Sequence, residues 1–273
     1  MIQLMRNEIH RALKNKVWIS VIVSIPIMSL ILAHLSLKAN QILSSNYLST
    51  MYTFPLYLPR HKIFTIYIFS IVVLLVVNSI AAEYEDSSIR MIMIRGYNSV
   101  KIFICKMVII GVEIALFLLC WVIVSYLIGW WLMPHLSNID CFLSTYPPSN
   151  IQLFMLTLKY YGWLYIILGV FSVQVCFIAI VTRNVIITTV TGLGSILCSL
   201  GFYMVTQLLE IYFPIVESDK LNMIALPLIQ LKGLYLLIKD GELFEPIILV
   251  LGGYYLLFFM VSIAISRKQD QFI

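Results

Sequence analysis

Long apolar runs alternate with short polar connections along this chain. A run of about eighteen or more apolar residues can cross a bilayer as a helix. Six recur: Val17 to Leu37, Ile63 to Ala82, Ile102 to Met133, Tyr161 to Val181, Asn184 to Gln207 and Pro246 to Ser266. Inside hydrocarbon every backbone amide needs a partner within its own segment, so each run predicts a helix. The segment before the first run, "MIQLMRNEIHRALKNK", is periodic instead. At about 100° per residue, Ile2, Met5, Ile9, Ala12 and Leu13 share one face, while Arg6, His10, Arg11 and Lys14 lie elsewhere. That pattern predicts an N-terminal amphipathic helix in the membrane interface, its bases toward lipid headgroups. A further apolar stretch, "LNMIALPLIQLKGLYLLIK" at 221 to 239, would place Pro227, Gln230, Lys232 and Gly233 at the centre of a seventh span. A central Lys costs about 2.5–3.5 kcal/mol on insertion. The stretch therefore reads as an outer re-entrant or interfacial hairpin, covered by protein where its backbone is irregular.

Composition supports the same class. The 273 residues are 61% hydrophobic and 11% charged, with mean hydropathy +0.97. A soluble domain would be near a quarter charged. The expectation is an all-α membrane protein forming one transmembrane domain over residues 1–273, with lipid as its surroundings and no nucleic acid as partner. The first sixteen residues are polar and basic, and the first apolar run is a full span rather than a short signal-peptide core.

Sidedness follows from basic residues in the connections. With the N-terminus in the cytoplasm, the inner set holds eleven (Arg6, Arg11, Lys14, Lys16, Arg90, Arg95, Lys101, Lys106, Arg183, Arg267, Lys268) and the outer set seven. Both termini are expected to be cytoplasmic in a multi-pass protein of the cell membrane. Trp130, Trp131, Tyr160, Tyr161 and Trp163 suggest an aromatic belt at one interface and Trp18 one at the other. The five cysteines and four histidines show no ligand spacing, so no metal is expected.

The connection between the second and third runs, "EYEDSSIRMIMIRGYNSVKIFICK" (83 to 106), is not a simple polar loop. Acids at Glu83, Glu85 and Asp86 precede Ser87 and Ser88, which suit a helix start because the hydroxyl satisfies a first-turn amide. Gly96 suits a helix stop, and Asn98 and Ser99 can cap the helix that follows. The pattern predicts a two-turn helix over 88 to 95. Ile89, Ile92 and Met93 lie on one side, Met91 and Ile94 on the other, and Arg90 and Arg95 on the flanks. A short helix apolar nearly all round needs cover on both sides.

Residues 85 to 106 resemble the signature of ABC-2-type transporter permeases. Glu85, Ile89, Arg90, Ile92, Met93, Gly96 and Lys106 fall at matching places. Ser87–Ser88 stand where that family often has Gly-Thr, and Asn98–Ser99 where it often has Ser-Arg. The outline is similar too: a basic amphipathic start, six spans, inside termini and an outer hairpin before the last. The resemblance implies that residues 88 to 95 are a coupling helix docking into a cytoplasmic ATPase subunit, with Glu85, Ser88, Ile89, Arg90, Ile92, Met93, Arg95 and Gly96 at the contact. It also implies two permease copies, identical or not, and alternating exposure of a central cavity as ATP is hydrolysed. A bacteriocin- or lantibiotic-immunity exporter is the favoured subtype.

The chain has no G-x-x-x-x-G-K-[ST] loop, so ATP and Mg²⁺ belong on the partner; this chain is expected to bind no cofactor and catalyse nothing. The expected cargo is apolar or amphipathic (an antimicrobial peptide, a drug or a lipid-like molecule), because the spans offer little charge. Glu113 is the one acid well inside an apolar run; it fits either a structural role or, with Gln174, a pathway. Asn78 and Gln174 suit interhelical hydrogen bonds. Thr191, Ser195 and Ser199 recur at i+4 in the fifth run, spacing that suits close helix approach, within the chain or across a permease dimer. The alternatives are an ion-coupled secondary transporter, which predicts broken helices in repeated halves, or an intramembrane enzyme using the acids of "EYED".

Overall fold

The computed structural model describes residues 11, 15–42, 49–86, 98–135, 149–212, 222, 224–234 and 244–269. Among these there is helix and no strand. Six long helices carry the architecture: α1 (Lys16–Ile42), α2 (Lys62–Glu85), α3 (Ser99–Leu132), α4 (Asn150–Thr182), α5 (Val185–Tyr212) and α6 (Phe244–Gln269). Each is long and apolar enough to cross a membrane. Three of the predicted runs, the second, third and sixth, match these helices to within three residues at both ends, and α5 ends five residues beyond the predicted Gln207. α1 runs through Pro26 and on to Ile42, five residues beyond the predicted end.

α4 differs most, starting eleven residues before the predicted Tyr161. Its start is set by a capping box: Ser149 and Gln152 each bond the other's backbone N–H, which satisfies two end amides without apolar residues. The other helix starts also have identifiable causes. Asn98 Oδ1 accepts from the Val100 N–H at 2.9 Å, and Asn184 Oδ1 from the Ile187 N–H at 3.0 Å. α6 has Glu245 in its first turn and Arg267 and Lys268 in its last, each matching the helix dipole. α2 is interrupted by a π turn at Val77–Ala81, and this turn packs on α4 and α5. Asn78 lies in it.

The core is built around α2 and α4. Within their most apolar windows 61% of residues are buried, against 22% for α5 and 17% for α6. α2 touches α1, α3, α4 and α5; α6 lies along α4 and α3. Edge-on aromatic pairs join the layers, Phe64 with Trp121 at 5.0 Å and Phe69 with Phe171 at 4.8 Å. Gly192 sets the approach of α5 to α2: a Cβ there would lie 2.9 Å from Val73 Cγ1. The buried stripe of α5 is Thr188, Gly192, Ile196 and Ser199, so close packing by small residues is realised inside the chain.

Six crossings return the chain to the end at which α1 begins. That end, here the charged end, holds the start of α1, the end of α2, the start of α3, the α4–α5 turn and the end of α6. The opposite end, here the neutral end because the contacts that hold it are uncharged although Arg60 and Lys62 lie there, holds the turns Phe54–Tyr57, Leu58–Arg60, Leu226–Leu228 and Ile229–Gly233. The predicted helix at 88 to 95, nearly all of the N-terminal amphipathic segment, and residues 213–221 and 235–243 around the outer hairpin lie outside the described residues.

Candidate functional site

The charged end is organised by Glu83, in the last turn of α2. Its carboxylate is ion-paired with Lys106 of α3 and with Arg11 of the N-terminal segment. Glu83 and Lys106 are both buried, whereas Arg11 is half exposed. A buried ion is tolerated only when paired and hydrogen-bonded, so this contact fixes α2 and α3 at one depth. Two residues on, Glu85 stays exposed, and its Oε2 accepts from the Val185 N–H at 2.9 Å. A carboxylate at this place satisfies an end amide of α5 and matches its dipole. The α4–α5 turn is completed by Arg183, whose φ of 52° ends α4 in the left-handed conformation. Its guanidinium lies 5.9 Å from the centroid of the Tyr84 ring. Four parts of the chain (the N-terminal segment, α2, α3 and the α4–α5 turn) thus meet where the segment 87–97 leaves and rejoins the bundle.

Glu113 lies two turns beyond Lys106 on α3, on the same side. It is buried, its Oε2 has no hydrogen-bond partner among the described residues, and Lys106 is an opposite charge acting on it. Of the predicted coupling residues, Glu85 is placed at the braced end. Ser88, Ile89, Arg90, Ile92, Met93, Arg95 and Gly96 fall outside the described residues.

The structure brings Gln174 together with two of the three fifth-run residues. Gln174, Ser195 and Ser199 line one recess of about 280 Å³, with Phe171, Phe202 and the segment Ile224–Pro227. The Ser195 and Ser199 hydroxyls turn back to donate to Gly192 O and Ile196 O of their own helix. Thr191 is exposed and donates to Ile187 O. Gln174 and Asn78 make no hydrogen bond among the described residues. Beside the contacts of Glu83 and Glu85, hydroxyls make interhelical bonds, among them Ser24 Oγ with Tyr67 Oη at 2.6 Å and Tyr126 to Thr157 at 3.3 Å.

The expected aromatic belt divides. Trp130 and Trp131 are exposed, as an interfacial pair would be. Tyr160 and Tyr161 are buried and pin the neutral end. Tyr160 donates to Gln230 O at 3.3 Å and Tyr161 to Pro55 O at 3.1 Å. Gln230 donates in turn to Pro59 O at 3.3 Å. Trp18 is 5% exposed and belongs to the core.

The fold therefore defines a multi-pass α-helical membrane protein. Comparison with known protein families, curated proteins and solved structures finds no match for the chain.

Proposed function

We propose that the chain is the membrane-spanning subunit of an ATP-driven exporter of the ABC-2 permease kind. It would work as a pair with a second permease and with separate cytoplasmic ATPase subunits. The observation that carries this reading is the brace around the segment 87–97. Glu83, Lys106 and Arg11 lock the two helices that flank it, and Glu85 ties it to α5. A force applied to this segment from the cytoplasm is passed to α2, α3 and α5 together, as a coupling helix requires. The Ile/Met knot of residues 89–94 gives an ATPase an apolar surface to grip. In this reading the charged end and both termini are cytoplasmic, in keeping with the excess of Lys and Arg there. The hairpin at the neutral end is re-entrant. Tyr254, about 15 Å along α6 from Phe244 at 1.5 Å per residue, donates to Ile224 O, which supports that depth.

The test is Ile92→Glu. A charge in the docking surface costs several kcal/mol if buried unpaired, and about 1.4 kcal/mol is tenfold in an equilibrium constant. The expected result is normal membrane abundance with loss of the co-purifying ATPase and of export. Retained ATPase with continued export would make this helix a lipid-surface element and end the coupling assignment.

One observation favours a second reading, ion-coupled transport: a buried Glu113 oxygen without a partner among the described residues suits a proton or cation site. Proteoliposomes carrying the chain alone separate the two. Flux driven by an ion gradient, and abolished by Glu113→Gln, would favour the second reading.

A further inference from the structure

α5 is one unbroken helix of 28 residues, Val185–Tyr212, with no proline in it. Among the six spans only α6 is less buried. α5 meets the bundle along a narrow stripe, Thr188, Gly192, Ile196, Ser199 and Thr206. At Gly192 its backbone rests directly on α2: an added Cβ would lie 2.9 Å from one methyl of Val73 and 3.1 Å from the other. Val73 is fully buried and β-branched, so its rotamer is fixed and the support is stiff.

The two arms of α5 on either side of this support are held differently. The short arm runs back seven residues to Val185, about 10 Å at 1.5 Å per residue. Its end is fixed by one exposed side chain, Glu85, which accepts from the Val185 N–H at 2.9 Å. The Thr182 and Thr188 hydroxyls also meet, at 2.8 Å, but close to the support, where a tilt moves little. The long arm runs out to Phe202, about 15 Å. It does not press on what faces it. Ser195, Cys198, Ser199 and Phe202 stand across the recess of about 280 Å³ from Gln174 and the segment Ile224–Pro227. Protein interiors are otherwise close-packed, so the recess is space into which this arm can move. Farther out the arm is tethered by single side chains, Thr206 donating to Asn222 at 2.7 Å and Lys62 lying 4.9 Å over the Tyr203 ring.

The geometry sets the size of the motion. A tilt of about 10° at Gly192 moves Val185 by about 2 Å and Phe202 by about 2.5 Å in the opposite direction. A shift of about 2 Å breaks a hydrogen bond, whereas 2.5 Å is a modest step into a recess of this size. The bond from Glu85 therefore sets the angle of the whole helix. Glu85 stands two residues before the segment 87–97, so a pull on that segment acts on the bond directly.

We propose that α5 is a lever that pivots on Val73 at Gly192, its short arm held by Glu85 and its long arm closing the recess at Phe202 when that hold is drawn away. Rigid helices that shift between two packings are an established form of switch. The inference rests on the exporter reading for the source of the pull, but not for its test.

The test uses the full chain in phosphatidylcholine nanodiscs without any ATPase subunit. Nitroxides are placed on genetically encoded ketone residues, which leaves the native cysteines untouched. All four labelled positions are well exposed: Leu208 and Ile186 on α5, and Leu249 and Met260 on α6, the helix whose Tyr254 lines the recess. Pulsed electron spin resonance then gives one distance at each end, Leu208 to Leu249 and Ile186 to Met260. Glu85→Ala releases the short arm. It should shorten the first distance by about 4 Å and lengthen the second by about 1.5 Å, in proportion to the two lever arms. Adding Cys198→Phe fills the recess and should hold the first distance at its original value. Four results would overturn the proposal: no change in either distance, a change at Ile186 alone, which is fraying of the turn, a change of both in the same sense, which is sliding without a pivot, or full shortening despite Cys198→Phe. ATPase retained by Ile92→Glu would end the exporter reading and leave these distances standing. Distances that fail to move would end the lever and leave ATPase co-purification standing.

Discussion

The two ends of the bundle are held by different physics. At the charged end, Glu83, Lys106 and Arg11 form a largely buried ionic knot, and Glu85 caps α5 with a full negative charge. At the neutral end, loops are held by tyrosine hydroxyls, two amide side chains and carbonyls: Tyr160 to Gln230, Tyr161 to Pro55, Gln230 to Pro59, and a two-way bond between Asn40 and Ser49 at 2.8 and 3.0 Å. A neutral network contributes modestly per bond and tolerates the loss of any one. A buried ion pair is less forgiving, because losing one partner strands the other. An end that must pass force between helices without slipping benefits from the second kind of link. An end that only closes the bundle needs the first.

The largest expected effect comes from breaking the ionic knot. Glu83→Ala leaves Lys106 buried without its carboxylate, a loss of about 3–5 kcal/mol. A large fall in the unfolding temperature in detergent, with reduced membrane yield, is the expected outcome. Replacing both partners sharpens the point: Glu83→Leu with Lys106→Met should recover most of the stability, since an apolar pair of similar volume is often no worse than a buried ion pair. Recovered stability without recovered export would separate the mechanical role from the structural one. An unchanged unfolding temperature in Glu83→Ala would mean that the knot does not hold the charged end.

The pairing at the heart of the knot is present in the sequence, in the spacing of its two partners. The connection between the second and third runs is short, so the two helices are antiparallel neighbours. Glu83 lies about 3 Å inside the end of α2 and Lys106 about 10 Å into α3 at 1.5 Å per residue, a difference that the long lysine side chain spans. Weighing Glu83, Glu85 and Asp86 together, as acids at the end of the second run that favour the helix start after them, left that pairing out. The six spans were legible because an apolar run of spanning length seldom occurs outside a membrane helix. The start of α4 was not, because its first eleven residues mix Lys159, Gln152 and Asn150 with apolar ones and the capping box signals only through Ser149 and Gln152. Tyr160 and Tyr161 were misread for a physical reason: a tyrosine suits both a membrane interface and a buried site with an acceptor for its hydroxyl. Periodicity alone does not choose between them. The π turn at Val77–Ala81 holds the polar pair Asn78–Ser79, a mark that suits an interhelical hydrogen bond as well as a break in the helix.

A smaller effect tests the neutral end. Tyr161→Phe removes one hydroxyl that donates to Pro55 O, and the expected loss is about 1 kcal/mol. It should be the same at low and high salt, because no charge is involved. The Glu83→Ala loss and this one should also add, the two sites lying at opposite ends with no shared partner. A loss comparable to that of Glu83→Ala would erase the contrast between the ends.

The smallest effect is a pH dependence at the neutral end, from His61. This half-buried residue precedes α2, and its backbone N–H donates to Leu58 O at 3.1 Å. Burial, and secondarily the Arg60 charge, hold its imidazole below the ordinary value of 6.5. Above pH 6.5 the ring is neutral in both the folded and the unfolded chain, and it contributes no pH dependence. As the pH falls through 6.5 the unfolded chain takes up a proton that the folded chain refuses, so stability declines. The decline ends once the pH is below the folded value and both states are protonated. His61→Gln removes the proton site and should flatten this part of the stability curve, leaving the values above neutrality unchanged. The measurement is the unfolding temperature of both proteins from about pH 8 down to about pH 5, across the ordinary histidine range. Curves that stay parallel throughout would place the acid sensitivity elsewhere, and the charged end, with its buried carboxylates, would be the next place to look.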